Sequence, residues 1–304
     1  MGRRSKQKYI EYDYEAAYQH QADMEDEYTV QQMLKGKSKK TIYATKEIRS
    51  GEQLEVEIYP EFTKQQEKEI PTEGMKKKQR QAQRNLNEKN SRKQCERIIN
   101  ANFGDRDIWA TFTYTDDEMP DTMEQAERDM KNYIRRLNYQ RKKQGLKNVR
   151  YVYVTECSDK GRFHHHIVLD GDMSMDTVEE TWKLGRRNQV RRLDKDENGL
   201  TGMAKYITKE KKAKSQKKWK ASKGLKQPEE KVNHYKFRKK DVDEVIRNHN
   251  CLKDKLMKWY GQEGYIYTSQ EIRYNDFNGR YYIYARMRKQ IERSGKRCNR
   301  KKRD

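Results

Sequence analysis

An α+β fold with a central antiparallel sheet is predicted for this chain of 304 residues, on three observations. Short runs of aromatic and β-branched residues alternate with amphipathic stretches in the order β-α-β-β-α-β. The second and third runs are joined only by the turn residues SDKG, which makes them a hairpin. Strongly basic segments flank this block on both sides.

Residues 1–40 are polar, carry both charges and lack periodicity, so they read as a flexible arm. Two strand-like stretches follow, Thr41–Lys46 and Leu54–Tyr59, divided by Arg49-Ser50-Gly51. Residues 73–100 are basic and helix-prone; that helix is either a solvated face or a contact to a DNA backbone. Ile108–Thr115 (IWATFTYT) has the composition of a strand. A helix from Thr122 to Lys143 keeps Met123, Ala126, Met130, Tyr133, Ile134 and Leu137 on one stripe. Thr122 with Gln125 supplies a capping box at its start. Val149–Glu156 and Arg162–Leu169 are the hairpin strands. A short helix at Met175–Lys183 and a strand at Asn188–Leu193 complete a split βαβ, ferredoxin-like (RRM-like) core, and a further helix covers Leu200–Glu210. Lys211–Lys231 is Lys-rich and reads as an irregular crossover. One helix is expected from Asp241 to Tyr260, then Tyr-rich strands at Gly264–Tyr274 and Arg280–Met287 and a basic tail. The expected organisation is thus a basic N-terminal region (1–105), the core with its added helix (106–212) and a C-terminal extension (213–304).

Composition narrows the function classes. The net charge is +22, 39% of residues are charged and 32% are apolar, yet 21 Tyr, 4 Trp and 6 Phe accompany the charge. A folded body with basic extensions fits this better than a disordered chain. Such a positive excess calls for a polyanion, and nucleic acid is the favoured partner. No apolar run approaches the roughly 20 residues of a membrane span, and no apolar h-region follows the basic N-terminus. Cys95, Cys157, Cys251 and Cys298 form no C-x-x-C pair, which suits a reducing, cytoplasmic setting.

Two constellations can carry chemistry. In a strand, His164 and His166 share one face, while His165 joins Phe163, Ile167 and Leu169 on the other. The hairpin folds Glu156 back opposite His164, adding a carboxylate to the two imidazoles. This mixed N/O set suits Mn²⁺ or Mg²⁺, with zinc or cobalt allowed by affinity alone. On the following helix Tyr206 and Lys209 stand at i and i+3, placing a phenol beside an ammonium. A phenol with a pKa of about 10 is a poor nucleophile unless such neighbours stabilise the phenolate.

A strand IWATFTYT, a His-x-His strand in GRFHHHIVL and a helix with Y-x-x-K, in that order, resemble the three motifs of the HUH endonuclease superfamily. Within it, the chain is most similar to the rolling-circle replication initiators of small phages and plasmids. The resemblance spans residues 108–212 closely; Phe163 stands where Pro is common, and His165 fills a usually apolar slot. It implies His164 and His166 as metal ligands, Glu156 as the acidic ligand, Tyr206 as nucleophile and Lys209 as its helper. It also implies nicking and rejoining of single-stranded origin DNA, or an origin hairpin, through a 5′-phosphotyrosine. Positions i±4 from Tyr206 are Gly202 and Glu210, so a single-tyrosine enzyme is expected. No P-loop motif is present, which leaves strand separation to a host helicase or to an origin already extruded as a hairpin. The resemblance further implies extension by a host DNA polymerase and a bacterial, nucleoid-associated cytosolic setting. Arg162, Lys205, Trp109 and Thr113 are candidate DNA contacts. A transposase or relaxase would share this site, and a non-catalytic nucleic-acid binder would share the fold.

Overall fold

The computed structural model describes residues 42–61, 73–196, 198–207, 219–275 and 279–290. In chain order, β1 (Ile42–Ser50) and β2 (Gln53–Glu61) form a hairpin, followed by the long α1 (Glu73–Asn102). The block β3 (Ile108–Thr113), α2 (Met123–Lys143), β4 (Tyr151–Cys157), β5 (Phe163–Leu169), α3 (Met175–Glu180) and β6 (Gln189–Arg192) comes next. After it stand α4 (Thr201–Ile207), β7 (Lys220–Ala221), β8 (Glu229–Asn233), α5 (Lys239–Arg247), α6 (Cys251–Tyr260), β9 (Tyr265–Asn275) and β10 (Arg280–Lys289).

The strands form two antiparallel five-stranded sheets, β8-β1-β2-β10-β9 and β6-β3-β5-β4-β7. In the second sheet the order β6-β3-β5-β4, with α2 as the crossover from β3 to β4, is the expected ferredoxin-like arrangement. Helix α2 begins where the sequence places it, because the Thr122 side chain accepts from the Gln125 backbone N–H at 3.2 Å. Its stripe of Ala126, Met130, Tyr133, Ile134 and Leu137 buries against Ile108, Phe112, Ile167 and Leu169.

Side-chain alternation decides what each sheet face meets. The opposite face of the second sheet offers Val152, Val154 and Val168, which pack under Cys95, Ile98 and Ile99 of α1 and Leu200 and Ala204 at α4. Across α1, Arg97 reaches the first sheet and clasps Glu55 of β2 with two bonds of 3.0 and 2.8 Å. On the far side of that sheet, Leu54, Val56 and Ile58 meet Val242, Val245, Leu252 and Leu256 of α5 and α6. The layers therefore run α2 and α3, second sheet, α1, first sheet, α5 and α6. The last turns of α1, from Cys95 onward, are a core element rather than a solvated face.

Two sequence expectations are corrected. The single helix over 241–260 is two helices, because Asn248 leaves helical geometry and its side-chain oxygen takes the Asn250 N–H at 3.1 Å. Asn side chains compete with the backbone in this way and favour helix ends. The crossover at 211–231 is not irregular throughout, since β7 and β8 lie within or across its end and pair with β4 and β1. Their charged sequences carry little strand signal; position at a sheet edge makes them strands. No helix among the described residues is long and apolar enough to cross a membrane.

Candidate metal centre

The β4–β5 register sets Glu156 directly opposite His164, and β5 pairs His166 with Thr111 of β3. Glu156, His164 and His166 consequently project from one face of the second sheet. Their ligand atoms all lie within 4.8 Å of one another. Glu156 Oε2 is 3.1 Å from His164 Nε2 and 3.4 Å from His166 Nε2. Donors bound about 2.1 Å from a common ion stand roughly 3.0–3.4 Å apart, so these separations already suit one metal. The second carboxylate oxygen, Glu156 Oε1, is buried without a hydrogen-bond partner, an atom that coordination would satisfy. Two imidazoles and a carboxylate make a donor set that fits a divalent ion.

Burial of the triad is graded. The side chains of Glu156 and His166 are 6% and 4% exposed, whereas His164 is 23% exposed and forms the open side. Burial pushes the Glu156 carboxyl up, but hydrogen bonds from His164 and His166 outweigh it and hold the group down at about 2. The carboxylate is thus ionised and ready to ligate at neutral pH. His166 is oriented from behind by Thr111, whose Oγ1 is 3.0 Å from His166 Nδ1.

His165 belongs to the other face, as alternation requires. It is fully buried, with Tyr114 OH 2.8 Å from Nε2 and Thr155 Oγ1 2.9 Å from Nδ1. Its contacts anchor the strand that displays His164 and His166.

Tyr206 lies in α4, whose Ala204, with Leu200 just before the helix, is buried on the same sheet face as the triad. The start of that helix is tied to α1 by Asn100, which accepts from Leu200 N at 2.9 Å and donates to Thr201 Oγ1 at 3.3 Å. Lys209 lies outside the described residues. Trp109 shares the triad face: its ring is 6.5 Å from that of His166, and the Arg191 guanidinium sits 4.0 Å over it. Thr113 pairs with His164 in register, but its hydroxyl donates to Arg187 O at 2.9 Å. Arg162 pairs with Asp116 and donates to Tyr114 O at 3.1 Å, and Lys205 is exposed on α4.

Thr111 is the site residue that the sequence reading missed. Period-2 spacing between Trp109 and Thr113 is the signal that would have found it.

Fold and site together define an α+β protein that presents a His-x-His and glutamate cluster on a helix-covered sheet face. The segment bearing that cluster, residues 107–211, matches the family model described as replication-associated protein ORF2/G2P. No curated protein and no solved structure matches the chain significantly.

Proposed function

We propose that this protein initiates rolling-circle replication by nicking and rejoining single-stranded origin DNA, with Tyr206 as nucleophile. The observation that carries the reading is the convergence of Glu156, His164 and His166 on one sheet face, beneath the helix that bears Tyr206. The replication-associated family match over the same residues supports it.

Glu156, His164 and His166 would hold Mn²⁺ or Mg²⁺. Bound there, the ion supplies positive charge that polarises a scissile phosphate. If His166 held the ion through Nε2, its Nδ1 would carry the proton and donate to Thr111 Oγ1, which would fix the ring. The phenol oxygen of Tyr206 attacks phosphorus in line, forming the O–P bond as the P–O3′ bond breaks. The phenol proton ends on the released 3′-oxygen, leaving a 5′-phosphotyrosine and a 3′-OH that a polymerase extends. Lys209 stabilises the developing phenolate and phosphoryl charge. Attack by a 3′-OH reverses the step and reseals the strand, so no external energy source enters. Trp109, Thr113, Arg162 and Lys205 line the route of the strand, and the +22 net charge makes its binding steeply salt-dependent.

The test is covalent-adduct formation on single-stranded DNA from the cognate replicon, with Mn²⁺ or with EDTA, resolved on a denaturing gel. A band that needs metal and vanishes in Tyr206→Phe and in His166→Ala supports the mechanism. An adduct that survives Tyr206→Phe moves the nucleophile to another tyrosine. Tight DNA binding with no adduct in any metal would make the protein a non-catalytic binder.

A further inference from the structure

On the outermost layer, separated from the metal centre by α1 and the first sheet, α5 and α6 carry an aromatic and basic cleft with no role in the chemistry above. Tyr235, in the β8–α5 connection, is 60% exposed, and Trp259 of α6 is 36% exposed. Their ring centroids lie 6.1 Å apart at 70°. They line a shallow cleft of about 210 Å³ together with Lys236, Arg238, Lys240 and Lys258. This is below the roughly 300 Å³ at which small-molecule pockets begin, so the shape suits part of an extended ligand.

The cleft is held rigid from beneath. Lys236 Nζ lies 2.6 Å from the buried carboxylate of Glu47 and sits over the rings of Tyr260 and Trp259 at 4.2 and 5.6 Å. Its carbonyl accepts the Trp259 indole N–H at 3.2 Å. Asp241, the acid among the lining residues, is 2.9 Å from Lys255. From Tyr235 to Trp259 the sequence holds eight Lys and Arg against four Asp and Glu. Exposed aromatic rings beside surface cations are what stacked bases and their phosphates require.

We infer that this cleft is a second single-stranded DNA contact: a base stacks on Tyr235 or on Trp259 while Arg238, Lys240 and Lys258 take the flanking phosphates. The inference rests on DNA as the partner but not on the nicking chemistry. An acidic protein would satisfy the cations and leave the rings unused.

The experiment irradiates full-length protein bound to oligo(dT) carrying 5-iodouracil and maps the cross-linked peptides by mass spectrometry. Wild type and His166→Ala are expected to cross-link at Tyr235 or Trp259 alike. In anisotropy titrations, Tyr235→Ala combined with Trp259→Ala should weaken oligo(dT) binding about tenfold or more. Arg238→Glu with Lys240→Glu, both at the surface, gives a second reading should the aromatic variant lose stability in thermal melts. Cross-links confined to residues 108–207, or unchanged affinity in the charge-reversal variant, would overturn the inference. Displacement of oligo(dT) by poly-glutamate at equal charge would overturn it in favour of an acidic protein partner. Absence of covalent adducts alongside cross-links at Tyr235 or Trp259 would sink the nicking mechanism and leave this contact standing.

Discussion

Thr111 and His166 face each other across the β3–β5 register, with Thr111 Oγ1 3.0 Å from His166 Nδ1. A residue outside the triad thereby sets the direction in which a proposed metal ligand points. Thr111→Val removes this bond while keeping the side-chain shape. Mn²⁺ affinity, measured by titration calorimetry, is expected to fall by about tenfold or more. Thr111→Ser should restore most of it, and an unchanged affinity in Thr111→Val would show that the hydroxyl does not orient the ligand.

His165 tests the proposed division between structural and ligating histidines. His165→Leu leaves Tyr114 OH and Thr155 Oγ1 without this partner in the core. A loss of roughly 2–3 kcal/mol in urea unfolding is expected. Mn²⁺ binding should persist in the folded fraction, whereas His166→Ala abolishes it. Loss of metal binding in His165→Leu at full stability would reverse the assignment.

The Glu55–Arg97 pair makes the junction of α1 with the first sheet sensitive to acid. Burial would raise the Glu55 carboxyl, but the hydrogen bonds and charge of Arg97 hold it at about 2, against an ordinary 4.5. Because the folded value is depressed, the stabilisation is fully present above about pH 4.5. It declines as pH falls toward 2, where the carboxylate takes a proton in both states. Unfolding free energies across this range should drop by roughly 3 kcal/mol from this pair. Glu55→Gln should be less stable at neutral pH and lose most of that slope; a parallel slope would place the acid sensitivity elsewhere.

Two glycines with positive φ should respond differently to Ala. Gly51, in the β1–β2 turn, has φ 61°, and a Cβ there would lie 2.3 Å from Asn100 O of α1. Gly145, after the end of α2, has φ 72° and open space around the added carbon. Gly145→Ala pays only the left-handed backbone cost, roughly 1–2 kcal/mol. Gly51→Ala must also push α1 away, so its loss in thermal or urea unfolding should be clearly larger. Equal losses would mean that the turn yields without disturbing the helix.

Much of the second sheet was legible in the residues. The IWATFTYT, VRYVYVTE and RFHHHIVL runs carry their strand signal locally, and the α2 stripe repeats at the helical period. Alternation alone put His164 and His166 on one face and His165 on the other, because that consequence of the pleat needs no knowledge of neighbours. The same local reasoning joined Asp241 to Tyr260 in one helix, since the apolar stripe continues through a break made by the Asn248 side chain.

By itself, the sequence determined the basic charge, the order of the central elements and the residue types able to hold a metal. Tertiary structure alone decided that β2 pairs with β10, more than two hundred residues later in the chain, and that α1 is clasped between two sheets. It also brought Thr111 to His166 and assembled Tyr235 and Trp259 into one cleft. Periodicity is written along the chain, whereas these contacts depend on which surfaces meet, and that is settled only when burial and pairing are satisfied together.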